Sequence, residues 1–443
     1  MMYKRYLLSL LTLILSVCLH ASEQPQFVCA MTAWTLPADY SIDETQTFLE
    51  HIRRDGYNAV QMSAVFGEID HNIIRRAFRG DDILKPNKKY WEKVDRTVKM
   101  ATDLGLRVII NPIWKRSLND FISRQGVEKC HAYGEWFARR YKENPLVSYF
   151  IGGDQIPEPI RAEMDALGRG IQEVYGGKAV IAYHSEGSQS SCEAYPDASW
   201  LTLNWTYAYT PAYKFEGQPR YPYQMNYENL RHFPTMPIQF GEGYYDFGTA
   251  KYYNAKGVSG RWGNRYVLRR QAWWNATSGA TGVAYGAEGI WHKNRDGQTW
   301  QQCLNYESSR DMTRMKQLLD SLHWWELHPD TAHSFLVDGY GTYLTDDYAT
   351  AAVSPDGLQA IIYTPVQHRF VLRTTVNPHH LTFRWYDPTN GSFTTTTNSQ
   401  LSSLRSTQRD ASHLKNSQLV FDSPAENASG TADMVLVITP VSE

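Results

Sequence analysis

The chain has 443 residues, a formal net charge of −2 and a pI near 6.7. This length exceeds what one hydrophobic core usually serves, so we expect two domains, one of them large. The nearly balanced charge argues against nucleic acid and anionic membrane surfaces as partners. Aromatic residues make up 13%, with 14 Trp and 29 Tyr. Because these rings combine an apolar face with a polar edge, they suit both sugar stacking and core packing, and composition alone leaves the two open.

The first predicted element is a signal peptide over residues 1–21. Lys4 and Arg5 precede an apolar run, and the small residue Ala21 then precedes the polar stretch SEQPQ. This order is typical of secretory signals. It predicts an exported protein, periplasmic, at the cell surface or secreted, in a bacterium. The alternative is lipoprotein processing at Cys18, which would leave a lipid anchor. No later stretch is long and apolar enough to predict a membrane-spanning segment.

Eight strand-like runs follow, and helical patterns separate them. Most of these runs are almost continuously apolar, as is typical of parallel strands covered on both faces. The repeated strand–helix unit predicts an α/β fold, a (β/α)8 TIM barrel over residues 22–328. No glycine-rich dinucleotide loop follows the first strand, which argues against an open Rossmann sheet. The predicted strands are 27–34, 58–66, 107–114, 147–154, 179–187, 200–209, 236–245 and 282–291.

The pattern changes after the linker His328-Pro329-Asp330. From there, short alternating segments are separated by turn signals such as Pro355-Asp356-Gly357. This spacing predicts a C-terminal antiparallel β-sandwich domain over residues 329–443.

The cysteines and histidines give no sign of a metal or cofactor. Cys29, Cys130, Cys192 and Cys303 are far apart and show no CxxC spacing, and the chain has no HExxH motif. Export would permit disulfides, but a large domain does not need them, so we expect free buried thiols. We expect neither a metal nor a cofactor.

The chemistry of the predicted barrel belongs at the carboxyl ends of its strands. Asp154 ends the fourth strand after two glycines, and Glu242 ends the seventh between two glycines. Glycosidic hydrolysis needs two carboxyl groups flanking the bond, one as acid and the other as nucleophile or base. We therefore predict Asp154 and Glu242 as a catalytic pair. The alternatives for each are a helix cap or an ion-pair partner, and Glu186 and Glu288 are rival carboxylates.

Other residues near the strand ends are candidates for substrate binding. Aromatic rings there could be sugar platforms or rim packing, and polar groups could orient the sugar or the acids. The candidates are Trp34, Gln61, Trp114, His184, Asn204, Trp205, Tyr244, Tyr285, Glu288 and Trp291.

An ordered series of motifs resembles a known family. The segments AMTAW, GYNAVQ, IGGDQ, AYHSEG, FGEGYYDF and RRQAWWNATSGATGVAYGAEGIW together resemble the apiosidase-like barrel proteins, that is, glycoside hydrolase family 140 and its relatives. The tail, with RWYDPTNGSF, resembles the domain that often follows, catalogued as a collagen-binding domain of a collagenase. The resemblance implies a retaining-type barrel with Asp154 as acid/base, Glu242 as nucleophile and a poly- or oligosaccharide substrate. The alternative is a non-catalytic glycan-binding or adhesion protein on the same scaffold.

Overall fold

A computed structural model describes residues 24–208, 220–247, 258–259, 262–396 and 417–441. The predicted signal peptide and Cys18 lie outside the described residues, so these two expectations stay predictions. Within the described part of the chain, no helix has the length and apolar character needed to cross a membrane. The four cysteines that the structure describes are free and buried.

Eight parallel strands form a barrel, as predicted. Their order around the wall is β5-β4-β3-β2-β1-β8-β7-β6. The β5 and β6 strands are not joined by a ladder; instead, the backbone N–H groups of Thr202 and Leu203 donate to the carbonyl of Ile181 at 3.0 and 3.1 Å. The barrel is therefore nearly closed. The strands are β1 (Val28–Thr32), β2 (Ala59–Ser63), β3 (Arg107–Asn111), β4 (Val147–Gly152), β5 (Ile181–His184), β6 (Asn204–Tyr207), β7 (Ile238–Glu242) and β8 (Ala280–Ala287).

Small and large side chains share the barrel interior. Phe150 on β4 and Trp205 on β6 stack at 4.6 Å between ring centroids. Alanines on neighbouring strands leave the space that these rings fill, which is how a narrow barrel reaches a close-packed core. The inward-facing cluster comprises Ala30, Trp34, Ala59, Phe66, Ile109, Trp114, Phe150, Ala182, Trp205, Tyr245, Ala284 and Trp291.

Helices cover the outside of the barrel. The first long one begins at a capping box, where the Ser41 side chain accepts from the Glu44 N–H and the Glu44 side chain accepts from the Ser41 N–H. A short helix, Ser191–Ala194, follows β5. The long helices are α1 (Ile42–Arg54), α2 (Lys88–Asp103), α3 (Asn119–Tyr141), α4 (Arg161–Val174), α5 (Pro222–His232), α6 (Arg265–Thr277) and α7 (Glu307–Ser321).

The C-terminal residues form two antiparallel sheets around a second apolar cluster, as predicted. One sheet has the order β9-β11-β12-β17-β14-β15, and the other has the order β10-β13-β16. The strands are β9 (His328–Pro329), β10 (Leu336–Asp338), β11 (Thr350–Val353), β12 (Ala360–Thr364), β13 (Arg369–Thr374), β14 (Leu381–Tyr386), β15 (Phe393–Thr395), β16 (Ser417–Asp422) and β17 (Met434–Pro440).

The larger sheet packs on helix α6 of the barrel. Trp273 stacks on Tyr363 with an interplanar angle of 11°, and the Trp274 indole donates to the Tyr348 carbonyl at 2.8 Å. The fully buried Arg269 donates two hydrogen bonds to Asp433, each of 2.7 Å. Apolar residues of this sheet belong to the same buried cluster as the barrel. One buried cluster therefore extends from the barrel into this sheet, while the sandwich also has a cluster of its own.

Candidate active site

The segment after β4 places the first acid. Gly152 and Gly153 have φ values of +92° and +135°, and Asp154 itself has a φ of +50°. A Cβ on Gly153 would lie 2.5 Å from the Trp114 ring, so only glycine lets the chain pass so close to this indole. The backbone thus turns sharply at the barrel mouth and presents Asp154 beside β5.

His184, the last residue of β5, connects the two predicted acids. The backbone N–H of Asp154 donates to Nδ1 of His184 at 3.0 Å. Because Nδ1 accepts this bond, the ring proton lies on Nε2 in the neutral imidazole. The Nε2–H group then donates to Oε2 of Glu242 at 2.6 Å. A single imidazole therefore fixes both the turn that carries Asp154 and the carboxylate of Glu242.

Glu242, the last residue of β7, has both carboxylate oxygens engaged. Oε1 accepts from the Tyr245 hydroxyl at 2.6 Å, and Oε2 accepts from His184. The Tyr245 oxygen in turn accepts from the Trp34 indole N–H at 2.9 Å. The carboxylate is 6% exposed. These donors hold it in one orientation, with little surface left open to solvent.

The two carboxyl groups are close enough to act on one bond. One oxygen from Asp154, one from Glu242 and a nitrogen of His184 all lie within 4.8 Å of one another. This spacing is compact enough to hold a cation as well. Both nitrogens of His184 are engaged, however, so binding an ion there would break one of the hydrogen bonds that orient the site.

Burial, and after it the charge of Glu242, raise the pKa of Asp154, which lies at about 7 once all neighbouring groups act on it. His184 and Arg116, whose guanidinium lies 3.8 Å from Oδ2, lower this pKa, while Glu68 raises it. The buried Oδ1 atom of Asp154 makes no hydrogen bond within the structure. Asp154 is thus the carboxyl group of the pair that holds a proton near neutral pH.

Aromatic side chains surround the His184 ring. Trp114 and Trp205 lie 5.3 and 5.8 Å from it between centroids, and Tyr207 lies 5.0 Å from it. Trp34 packs against Trp114 at 5.1 Å. The structure therefore brings three of the predicted tryptophans together around the two acids, in an environment of low polarity.

Glu288 and Trp291 form a second pair at the mouth, after β8. The Trp291 indole donates to Glu288 at 3.0 Å, and Arg295 forms an ion pair with the other oxygen at 3.2 Å. The Arg295 guanidinium also covers the Trp291 ring at 4.6 Å, and this ring lies 5.9 Å from that of Tyr245. Glu288, the rival carboxylate, is fully buried and interacts with Trp291 and Arg295.

The side chains of Gln61 and Asn204 contact groups other than the two carboxyls. Gln61 is buried in the barrel, where its amide donates to the carbonyl of Gly241 at 2.8 Å and supports the backbone before Glu242. Asn204 begins rather than ends β6, and its side chain contacts Cys192 and Asn229 outside the barrel wall.

Two tyrosines also point away from the site. The Tyr285 hydroxyl donates to Asp246 at 2.8 Å, on the side of the wall that faces helix α7. The Tyr244 ring belongs to the outer apolar cluster, and its backbone N–H donates to Gln271 at 2.9 Å.

Sequence reasoning missed four residues of the site: Tyr207, Tyr245, Glu68 and Arg116. Tyr245 adjoins the predicted donor Tyr244, and the motif FGEGYYDF contains both. Glu68 accepts from the Trp114 indole at 3.1 Å. Glu68 lies in the turn after β2, and Arg116 begins a short 3-10 helix after β3. No periodic pattern marks either residue, so only the folded structure shows that their charges lie near Asp154.

The fold is shared with solved glycoside hydrolase structures. One, described as a glycoside hydrolase, is 21% identical, with a TM-score of 0.76 over 96% of this chain and 95% of that chain. Another, a glycoside hydrolase family 5 protein from Bacteroides vulgatus, is 20% identical, with a TM-score of 0.75 over 96% of this chain and 90% of that one. No curated protein matches the chain. The likeness extends over both the barrel and the sandwich.

The match to an apiosidase-like catalytic domain, on a barrel fold shared with glycoside hydrolases, makes this protein a glycoside hydrolase. The model of the apiosidase-like catalytic domain matches residues 16–326. The chain therefore belongs to the apiosidase-like family. The resemblance of residues 329–443 to a collagen-binding domain stays a prediction.

Proposed function

We propose that the protein is an exported, retaining glycoside hydrolase that cleaves O-glycosidic bonds in a plant-type or other complex polysaccharide. Asp154 is the general acid and base, and Glu242 is the nucleophile. The observation that carries this proposal is the spacing of the pair, because their nearest oxygens lie within 4.8 Å. Retaining enzymes place their carboxyl groups about 5–5.5 Å apart, whereas inverting enzymes leave a wider gap for water.

The proposed reaction has two steps. In the first, Glu242 attacks the anomeric carbon while Asp154 gives its proton to the departing oxygen, which breaks the glycosidic bond and forms a glycosyl ester on Glu242. In the second, Asp154 takes a proton from a water molecule, whose oxygen attacks the anomeric carbon and releases Glu242. Protons balance over the cycle, and two inversions give net retention.

The surroundings of each acid support this division of roles. Asp154 has a pKa raised to about 7, as a general acid requires, and its buried Oδ1 accepts no hydrogen bond from the described residues. Glu242 receives hydrogen bonds from His184 and Tyr245, which aim its oxygens and prevent rotation. The reverse assignment would use the group with donors on both oxygens as the acid.

The test is hydrolysis by matched variants. We expect Asp154→Asn and Glu242→Gln each to lower sugar release more than about a hundredfold, since acid–base or nucleophilic catalysis contributes about this much. Glu288→Gln, which changes the other buried carboxylate of the mouth, is the control and should keep the stereochemistry. Glycosides of apiose are the first substrates to test, as the family name directs.

Proton NMR of the first product formed reads the mechanism directly. Net retention of the anomeric configuration is expected, and inversion would contradict the nucleophile role of Glu242. Activity within tenfold of wild type in both catalytic variants would refute the assignment of the pair. Saccharide binding without any release would instead support a non-catalytic glycan-binding protein.

A further inference from the structure

A groove lies on the seam between helix α7 of the barrel and the edge of the larger sandwich sheet. Its cavity has a volume of about 350 Å³. Arg314 and Gln317 on α7 form one side, and Tyr386, Asn390 and Phe393 of the sandwich form the other. We call this cavity the seam groove. Its volume is in the range of small-ligand sites, about 300–1,000 Å³.

The seam groove is far from the proposed catalytic pair. The helices of such a barrel run antiparallel to its strands, so the end of α7 lies near the amino ends of the strands. A hydrogen bond of 2.9 Å from the Phe27 backbone, just before β1, to Asp320 near the end of α7 shows this arrangement. Because Gln317 is one turn from Asp320, the groove is on the opposite side from the barrel mouth.

An exposed aromatic ring lines the groove. Phe393 on the edge strand β15 is 40% exposed. Its ring packs against Tyr386 at 5.1 Å between centroids, and the Arg384 guanidinium lies 4.3 Å from its centre. These contacts hold the ring in place although solvent reaches it. A fixed and exposed aromatic surface is the type of platform on which the C–H faces of a sugar pack.

Amide groups flank this ring. The Gln317 amide makes no hydrogen bond to any of the described residues, and it is exposed on the wall of the groove. Asn390 accepts from the Ser392 backbone through Oδ1 at 2.8 Å, which orients its side chain and leaves Nδ2 as a donor. Neutral amides next to an aromatic ring match the hydroxyl groups and apolar faces of a saccharide.

The charge in the groove is already neutralised. Arg314 donates to Asp311 at 2.7 Å and lies 3.6 Å from Glu307. An anionic ligand would have to compete with these carboxylates for the guanidinium. A neutral or weakly charged glycan would not.

We propose that the seam groove is a second binding site for a segment of the same polysaccharide, which rests on the proposed function. Holding one segment of the polymer there raises the local concentration of its other segments at the barrel mouth. The effect therefore applies to long substrates and not to short ones.

Affinity electrophoresis tests the proposal with the full chain. The parent is the Glu242→Gln variant, which keeps the polymers intact, run in native gels with the neutral or weakly charged polymers arabinoxylan and galactomannan. We expect Phe393→Ala in this parent to weaken retardation by at least one polymer about five- to tenfold, the amount that a stacking contact supplies. Gln317→Ala should weaken it about three- to tenfold, the amount that a hydrogen bond supplies. Val420→Ala, at another exposed apolar residue of the sandwich, is the matched control and should change nothing. Thermal unfolding confirms that each variant is folded.

A second measurement uses the active enzyme. Phe393→Ala should slow release from the polymer several-fold at low polymer concentration and leave the rate on short fragments of the same polymer unchanged. The proposal would be overturned if the retardation of both groove variants stayed within twofold of that of the control. It would also be overturned if no polymer retarded the parent. If the groove variants lose affinity while Glu242→Gln still releases sugar, the groove stands and the catalytic assignment fails.

Discussion

Arg116 offers a quantitative test of the acid/base assignment, because its charge acts on Asp154 without supplying the proton. The two groups are 3.8 Å apart, and the Arg116 side chain is 37% exposed. Two unit charges at this distance interact by about 1 kcal/mol at the dielectric constant of water, which is the appropriate limit for an exposed guanidinium. Removing the positive charge favours the protonated form of Asp154, so Arg116→Met should raise its pKa by somewhat less than one.

The assay is the pH dependence of kcat/KM, whose alkaline limb reports the acid in the free enzyme. With the pKa of Asp154 at about 7, wild-type activity should fall above about pH 7, and the Arg116→Met limb should move to about pH 8. Glu68→Gln is the control of opposite sign: Glu68 raises the pKa of Asp154, so its removal should move the limb to lower pH. If the alkaline limb stays in place in both variants, or moves in the same direction in both, Asp154 is not the acid that this limb reports.

Three further outcomes follow from the described contacts. Asp154→Asn should stabilise the protein at pH 8 but not at pH 4. Because the pKa of Asp154 is raised from 3.8 to about 7 in the folded state, its ionisation destabilises the fold progressively between these pH values, by up to about 4 kcal/mol. Melting temperatures that rise equally at both pH values would contradict this. Tyr245→Phe removes a donor to Glu242 and should lower kcat about 10- to 100-fold in steady-state assays, so a kcat near wild type would argue against its orienting role. Arg269→Met leaves Asp433 buried without its partner and should lower the free energy of unfolding by about 3–5 kcal/mol in denaturant titrations; a loss under about 1 kcal/mol would mean that the pair is dispensable.

The fold was largely predictable, because the strands of a parallel barrel appear in the sequence as separate apolar runs. The sixth predicted strand shows how far its bounds could be predicted from apolar runs alone. It was predicted over residues 200–209, but the strand occupies Asn204–Tyr207, because the preceding residues cross from β5 and bond to Ile181 instead of joining the ladder. The incomplete closure between β5 and β6 could not be predicted either, since hydrogen bonds between strands leave no trace in hydrophobic periodicity.

The site was predictable where position along a strand was enough. His184 and Glu242 end their strands, Asp154 follows its strand by two residues, and the structure brings the three together. The outward orientation of Asn204 and Tyr285 could not be predicted, because the sequence of a strand that is apolar on both faces does not reveal which residues point inward. The choice between Tyr244 and Tyr245 depends on how the backbone turns after Glu242, and that turn is decided by packing rather than by local sequence.

The stacked Trp273 and Tyr363 rings have a consequence for how this protein unfolds and for whether its domains can be separated. A chain cut after residue 328 would leave both tryptophans of α6 facing water, and the released tail would present Tyr363 and the unpaired Asp433 in the same way. Each half would thus lose buried surface that it has only in the intact chain. Unfolding should therefore occur in one cooperative transition, and swapping the tail between relatives should require exchange of the α6 surface as well.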